Sequence, residues 1–223
     1  MSARELGGEK PRFNKTMTKI KICGITNLKD AHSAIEAGAD LLGFNFYPPS
    51  PRSITPEKCS EITSLLGKEF PHITLVGVFV NMPVEQVKAI LTGSSLHLAQ
   101  LHGDESPDIL AKFNGQAFKA FRGVPKEIAG YTRSIAPALL VDAAVKDVYG
   151  GSGVVADWSA AMELSKQVPL LLAGGLTPEN VAKAVRQVRP WGVDVASGVE
   201  VSPGEKDPGK MKAFVEAVRS AAE

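Results

Sequence analysis

Strand-length apolar runs alternate with amphipathic helical segments along most of this chain, and that alternation limits its fold more than any other feature. Residues 74–80 and 170–173 are almost entirely apolar, and each run is followed by a segment with apolar residues at helical spacing. Continuous apolar strands that alternate with helices are typical of a parallel sheet covered by helices. Eight such units, repeating every ~25 residues, predict an α/β fold made of a single (β/α)8 TIM barrel over residues 18–223. A doubly wound open sheet is the alternative.

The sequence also predicts where the elements begin and end. A helix should follow Asn27 and stop at Gly38, another should begin at Thr55-Pro56, and a weaker one should follow Pro125. Thr177-Pro178-Glu179 should begin the helix after the seventh strand. The predicted strands cover residues 19–23, 39–46, 74–80, 96–101, 117–121, 138–142, 170–173 and 192–196.

The overall composition excludes several classes of partner. The net charge is +1, without a block of like charge, which argues against nucleic-acid or membrane binding. No apolar run approaches the ~20 residues that a membrane-spanning helix needs. Two cysteines make neither a disulfide framework nor a zinc site, so we expect a cytoplasmic protein. Residues 1–17 are polar and should form a disordered extension, and no surplus apolar face is evident, so we expect a monomer rather than a homodimer.

Unusual residues cluster at the carboxyl ends of the predicted strands, where barrels of this kind carry their active sites. Cys23 ends the first strand and Asp142 ends the sixth, so a thiol base and a carboxylic acid could face each other across a pocket. Lys21 lies two residues before Cys23 on the same face, and its ammonium should favour the thiolate. Because an unpaired buried charge is costly, we expect Lys21 to pair with Asp194 on the eighth strand.

Glycines at two adjacent strand ends indicate a phosphate site. Gly174-Gly175 follows the seventh strand and Ser197-Gly198 follows the eighth. Backbone N–H groups exposed there favour an anion. Gly153 lies in a longer loop that could close over a substrate. Arg52, in a proline-rich loop, could fork onto a carboxylate, and His102 either contacts substrate or supports the rim.

These residues lie in motifs that resemble phosphoribosylanthranilate isomerases, a family of tryptophan biosynthesis. The motifs run in family order along nearly the whole chain: Lys21-Ile22-Cys23-Gly24-Ile25-Thr26, Gly43-Phe44-Asn45-Phe46, Ser50-Pro51-Arg52, Gln100-Leu101-His102-Gly103, Leu140-Val141-Asp142, Gly150-Gly151-Ser152-Gly153, Ala173-Gly174-Gly175-Leu176 and Asp194-Val195-Ala196-Ser197-Gly198-Val199-Glu200. Val141 and Ser152 depart from the usual leucine and threonine.

The resemblance implies a reaction and roles for the residues. The reaction is the Amadori rearrangement of N-(5-phosphoribosyl)anthranilate to 1-(o-carboxyphenylamino)-1-deoxyribulose 5-phosphate, without metal or cofactor. It implies that Asp142 is the general acid that opens the ribose ring and that Cys23 is the base that removes the C2′ proton. Arg52 would hold the anthranilate carboxylate, Asp194 would contact sugar hydroxyls or hold Lys21, and the two glycine loops would bind phosphate.

Three alternatives remain open at this point. The related isomerase of histidine biosynthesis uses two aspartates, and a cysteine at position 23 argues against that assignment. A barrel that accepts both substrates is a variant of this alternative. A non-catalytic phosphometabolite-binding barrel would not need both Cys23 and Asp142. A redox role for Cys23 is weaker, because no second cysteine lies nearby in the sequence.

Overall fold

Eight parallel strands close into a barrel in the computed structural model, which describes residues 17–133, 135–143 and 158–221. Neighbours along the chain are neighbours in the sheet, and β8 pairs with β1 to close it. This confirms the predicted (β/α)8 fold and excludes the open sheet. The strands are β1 (Lys19–Cys23), β2 (Leu41–Asn45), β3 (Thr74–Phe79), β4 (Leu98–Leu101), β5 (Ala117–Arg122), β6 (Leu139–Asp142), β7 (Leu170–Ala173) and β8 (Gly192–Val195).

Helices follow most strands and cover the outside of the barrel. They are α1 (Leu28–Ala37), α2 (Pro56–Glu69), α3 (Val84–Gly93), α4 (Pro107–Ala111), α5 (Ser159–Ser165), α6 (Val181–Val188) and α7 (Pro208–Ala221). The Asn27 side chain accepts a hydrogen bond from the Asp30 N–H, and Gly38 ends α1 with a φ of +108°. Thr55 caps α2 in the same way through the Lys58 N–H. The capping residues read from the sequence therefore set these boundaries.

One helix prediction is wrong. The described residues between β5 and β6 contain no helix after Pro125; Gly130 adopts a φ of +76°, and the segment lies on the core irregularly, through Ile128 and Tyr131. The predicted helix after β7 is present from Val181, and residues 178–180 before it form a turn. The Thr177 carbonyl accepts from the Val181 N–H, and the Thr177 N–H donates to the Asn180 side chain, so Thr177 makes cap-type hydrogen bonds at this end.

The strand residues divide into two apolar layers according to their parity. Ile20 and Ile22 point outward and join the large core between the sheet and the helices. The opposite parity fills the barrel interior with a smaller buried cluster of Leu41, Val76, Phe118, Ala120, Leu140, Leu171 and Ala173. Lys21 and Cys23 share the inward parity, as predicted, and they stand where the apolar interior gives way to polar groups.

The chain after β8 turns back over the carboxyl ends of the strands. A 3-10 turn at Ser197–Val199 leads into a small antiparallel hairpin of β9 (Glu200–Ser202) and β10 (Glu205–Lys206). The Thr26 hydroxyl donates to the Gly204 carbonyl, which ties the hairpin to the loop after β1. Over the described ranges, no helix is both long and apolar enough to cross a membrane. Residues 1–16 of the predicted extension lie outside the described residues.

Candidate active site

The thiol of Cys23 lies in a gap made by a glycine on the next strand. Cys23 pairs with Gly43 of β2, and a Cβ on Gly43 would stand 2.8 Å from Cys23 Sγ and 3.0 Å from Lys21 Nζ. The Gly43 carbonyl accepts hydrogen bonds from the N–H groups of Gly24 and Ile25, which fixes the turn after β1. Gly24 has a φ of +79°, so the chain can leave the thiol abruptly. Gly43 therefore makes room for both titratable groups.

Lys21 and Asp194 form the predicted pair inside the barrel. Lys21 Nζ donates to Asp194 Oδ1 at 2.9 Å, and the Lys21 side chain is fully buried. Burial acts to lower the pKa of Lys21, but Asp194 and Cys23 outweigh it and raise that pKa above the ordinary value. The ammonium is therefore charged at neutral pH and lies next to the thiol.

The ammonium of Lys21 acts on Cys23 in the expected direction, but it does not decide the charge of the thiol. Burial is the largest influence and raises the pKa of the Cys23 thiol. Lys21 and Lys206 act to lower that pKa, while Asp194 raises it, and the net result lies above the ordinary thiol value. The resting group is therefore a thiol. The sequence indicated the nearby cation, but it could not indicate the burial of the thiol or the opposing effect of the Asp194 carboxylate.

Asp142 and His102 extend the site around the barrel. Asp142 ends β6 with the same inward parity as Leu140 and is half-buried. Burial lowers the pKa of His102, while the carboxylates of Asp142 and Asp194 act to raise it. His102 therefore lies within electrostatic range of both acids, which joins β4, β6 and β8 in one site.

The two predicted phosphate loops lie against each other. A Cβ on Gly198 would collide with the Leu176 carbonyl oxygen, so these loops touch where side chains are absent. Gly174 and Gly175 have φ angles of +101° and +61°. Over the described ranges, the N–H groups of Gly174 and Gly175 have no hydrogen-bond acceptor in the protein. Free N–H groups at the end of β7, with the loop after β8 packed against them, suit an anion. Gly153 lies outside the described residues.

Arg52 has a protein partner that the sequence did not predict. Its Nε and Nη2 donate to the two carboxylate oxygens of Glu200 at 2.8 and 2.7 Å. Glu200 Oε1 also accepts from Lys206 Nζ at 2.8 Å, and that nitrogen donates in turn to the carbonyls of Cys23 and Ala196. This Arg52–Glu200–Lys206 network ties the ends of β1 and β8 to the proline-rich loop. The fork of Arg52 is therefore occupied by Glu200, and its predicted substrate contact stays a prediction.

A second buried pair, also not predicted, organises the loops after β3 and β4. Lys119 Nζ donates to Glu105 at 3.1 Å and to the Gly103 carbonyl at 2.6 Å. Glu105 accepts in addition from the N–H groups of Asn81 and Gly103. A cavity of about 630 Å³ opens above this pair beside His102. The pair thus holds the wall of the cavity on the β4 side.

The fold and the site together define a (β/α)8-barrel enzyme that works through acid and base side chains. Within the described part of the chain, no three His, Cys, Asp or Glu side chains come together as a metal site requires. Residues 20–217 match the family model of N-(5'-phosphoribosyl)anthranilate (PRA) isomerase. The chain belongs to the N-(5'-phosphoribosyl)anthranilate isomerase family.

Individual relatives agree with this assignment over most of the chain. The N-(5'-phosphoribosyl)anthranilate isomerase of Geotalea uraniireducens is 46% identical over 89% of this chain and 97% of its own. That of Trichlorobacter lovleyi is 46% identical over 92% of this chain and 100% of its own. The crystal structure of phosphoribosyl anthranilate isomerase from Thermotoga maritima superposes on this chain with a TM-score of 0.81. It is 37% identical in sequence, and the match covers 92% of this chain and 100% of that one.

Proposed function

We propose that this chain catalyses the Amadori rearrangement of N-(5-phosphoribosyl)anthranilate to 1-(o-carboxyphenylamino)-1-deoxyribulose 5-phosphate. It is therefore an isomerase of tryptophan biosynthesis. Family membership supports this function, as does a phosphoribosyl anthranilate isomerase solved with the reduced form of that product, which has a TM-score of 0.77 and 36% identity to this chain. The observation that carries the proposal is the presence of Cys23 and Asp142 on the inward face at strand ends, both within electrostatic range of Asp194 or His102.

In this proposal Asp142 begins the reaction as the general acid. It protonates the ring oxygen of the ribose, the ring opens, and the anthranilate nitrogen becomes an iminium. Cys23 then removes the C2′ proton, which is acidic only once the iminium has formed, and the resulting enolamine tautomerises to the ketone. The raised pKa of the Cys23 thiol fits this order, because the positive iminium favours the thiolate just when a base is needed.

The remaining residues hold the substrate in place. The N–H groups around Gly174, Gly175, Ser197 and Gly198 bind the phosphate; Gly153, predicted for the same role, lies outside the described residues. Arg52 holds the anthranilate carboxylate through Nη1, because Glu200 occupies its other two nitrogens. In the described chain Nη1 has no protein partner.

Asp194, Lys21 and His102 have further assignments in this proposal. Asp194 holds Lys21 and also contacts sugar hydroxyls. His102 contacts the ribose. We expect no metal or cofactor to take part.

Turnover with matched control variants tests this function. Phosphoribosylanthranilate is generated in situ, and the loss of anthranilate fluorescence is followed with the parent, Cys23→Ala and Asp142→Asn. Each variant should lose about 10²- to 10⁴-fold in kcat, the usual contribution of general acid–base catalysis. Cys59→Ala and Asp108→Asn are the controls, since Cys59 packs in the outer core and Asp108 is exposed on α4. An inactive parent would leave only a phosphate-binding barrel, and an active Cys23→Ala variant would require another base.

The compartment and the oligomeric state remain predictions. Cys23 and Cys59 are both free, which suits the reducing cytoplasm that we propose. One solved relative consists of monomers generated from the dimeric phosphoribosylanthranilate isomerase of Thermotoga maritima. We propose a monomer for this chain, which light scattering at the concentration of the assay would test.

A further inference from the structure

Two polar atoms at the carboxyl end of β4 are buried without a partner among the described residues. They are Gln100 Oε1 and His102 Nε2, and neither has a hydrogen bond anywhere in the described ranges. Gln100 is 2% exposed, so its carboxamide cannot turn to solvent. A buried polar atom left unpaired costs stability, and such atoms are rare unless a ligand or another function requires them.

Both side chains point into the site. Gln100 is paired with Val78 and Phe118, and Phe118 belongs to the cluster inside the barrel, so Gln100 has the inward parity. His102, two residues on, has the same parity and borders the cavity above β4 and β5. Gln100 Nε2 lies 3.5 Å from His102 Nδ1, at the outer limit of a hydrogen bond. The two side chains therefore form one unit on the β4 wall of the site.

The contact with the carboxamide bears on which ring nitrogen of His102 carries the proton. Burial lowers the pKa of His102; Asp142 and Asp194 act to raise that pKa, and Lys119 and Lys21 to lower it. A neutral ring has one donor and one acceptor nitrogen. The orientation in which Gln100 Nε2 faces Nδ1 requires Nδ1 to be the acceptor, and the proton then lies on Nε2.

We propose that Gln100 is a positioning residue that holds His102 in its Nε2–H tautomer, so that the pair presents one acceptor and one donor to the hydroxyls of the ribose. Gln100 Oε1 accepts a hydrogen bond from one hydroxyl, and His102 Nε2–H donates to the oxygen of another. A hydroxyl group can donate or accept, so the hydroxyls of one sugar satisfy both buried atoms. This inference rests on the proposed function for the identity of the ligand, whereas the tautomer assignment does not depend on it.

The tautomer is tested by ¹⁵N NMR of the histidine rings, which is practical because the chain has four histidines. The parent should show His102 protonated at Nε2, and His102→Asn assigns the signal. Gln100→Glu offers Nδ1 only an acceptor and should move the proton to Nδ1. Adding the reduced form of 1-(o-carboxyphenylamino)-1-deoxyribulose 5-phosphate as a product analogue should shift the Nε2–H signal of the parent. A parent protonated at Nδ1, or an Nε2–H signal indifferent to the analogue, would overturn the proposal.

Stability and kinetics separate this role from a structural one. Gln100→Leu keeps the volume and removes an unpaired buried acceptor, so its melting temperature should equal or exceed that of the parent. Its kcat/KM should fall about 10- to 100-fold, the equivalent of one lost hydrogen bond to a buried group. Gln86→Leu on the exposed face of α3 is the matched control and should keep parental kinetics.

The outcomes distinguish the inference from the proposed function. An inactive parent would contradict the proposed function, and the NMR measurement would still test the tautomer of His102 independently of activity. An active parent with an equally active Gln100→Leu variant would contradict the inference alone. A Gln100→Leu variant that melts well below the parent would show that Gln100 supports the barrel instead, and would also overturn it.

Discussion

The Arg52–Glu200–Lys206 network gives the sharpest prediction of this structure. Glu200→Gln removes one negative charge from between two cations while keeping the shape of the side chain. The Glu200 side chain is 4% exposed and that of Lys206 is fully buried, so the variant leaves a buried cation uncompensated. Removing one partner of a buried ion pair costs about 3–5 kcal/mol.

The structure places the expected loss at the lower end of that range. Lys206 keeps hydrogen bonds to the carbonyls of Cys23 and Ala196, at 2.6 and 3.1 Å, and Arg52 is 22% exposed and can turn toward solvent. We therefore expect a loss of about 3 kcal/mol in the free energy of unfolding. For a chain of this length, that loss corresponds to a fall of about 6–12 °C in melting temperature.

The pH dependence of this loss has a definite sign. Burial acts to raise the pKa of the Glu200 carboxyl, but hydrogen bonds from Arg52 and Lys206 outweigh it and hold that pKa below the ordinary value of 4.5. Stability from a carboxyl with a lowered pKa is fully present above its unfolded pKa, and it is lost as the pH falls through the folded pKa. The difference between parent and variant should therefore be complete at pH 7 and shrink only below pH 4.5.

Differential scanning calorimetry of the parent, Glu200→Gln and Glu216→Gln measures the effect. Glu216 makes an exposed pair with Lys212 at 4.0 Å on α7, so its loss should cost under about 0.5 kcal/mol. KM should also rise in Glu200→Gln, because Arg52 loses the carboxylate that orients it. A melting temperature for Glu200→Gln equal to that of the control at pH 7 would refute the reasoning.

Three further predictions concern the thiol and its neighbours. Gly43→Ala puts a methyl group 2.8 Å from Cys23 Sγ and should lower kcat by about 10²-fold with the fold intact, as measured by fluorescence turnover and circular dichroism. Alkylation of Cys23 by iodoacetamide, followed by mass spectrometry, should rise with pH beyond the ordinary thiol pKa of 9.0. Cys59 should react last, because it is buried whereas Cys23 is partly exposed; the reverse order would contradict the assignment. Lys21→Met should destabilise the barrel by about 3–5 kcal/mol in urea unfolding, because it leaves the Asp194 carboxylate unpaired. Adding Asp194→Leu to this variant should restore the stability but not the activity. A double variant no more stable than the single one would contradict this prediction.

The sequence predicted the barrel well because its strands are marked locally. Apolar runs fix the strands, and the caps at Asn27 and Thr55 fix helix starts, so neighbouring residues carry the information. The weak helix after Pro125 failed for the opposite reason. Its apolar residues, Ile128 and Tyr131, pack against the core partly buried and without helical backbone, which only the tertiary structure reveals.

Within the site, the sequence indicated inward-facing groups but not their partners. The Lys21–Asp194 pair could be predicted because barrel closure makes β1 and β8 neighbours and parity selects the residue. No such rule predicts the contact between Arg52 and Glu200, since Glu200 is positioned by a hairpin outside the barrel sheet. The direction in which the pKa of Cys23 shifts could not be predicted from the sequence either, because it depends mainly on the burial of the thiol.

The buried cations share an arrangement that explains why polar groups persist in this interior. Lys21, Lys119 and Lys206 are each almost fully buried, and each pairs with one carboxylate. Lys119 and Lys206 also bind backbone carbonyls at strand ends or in the loops that follow them. Apolar residues of similar size would commonly be as stable or more so, so stability alone does not account for the pairs. An ammonium with several fixed acceptors instead sets the position of the loop that it binds. Because acid–base catalysis depends on positions fixed to within about 0.5 Å, the energetic cost of these buried charges falls where the chemistry requires precise geometry.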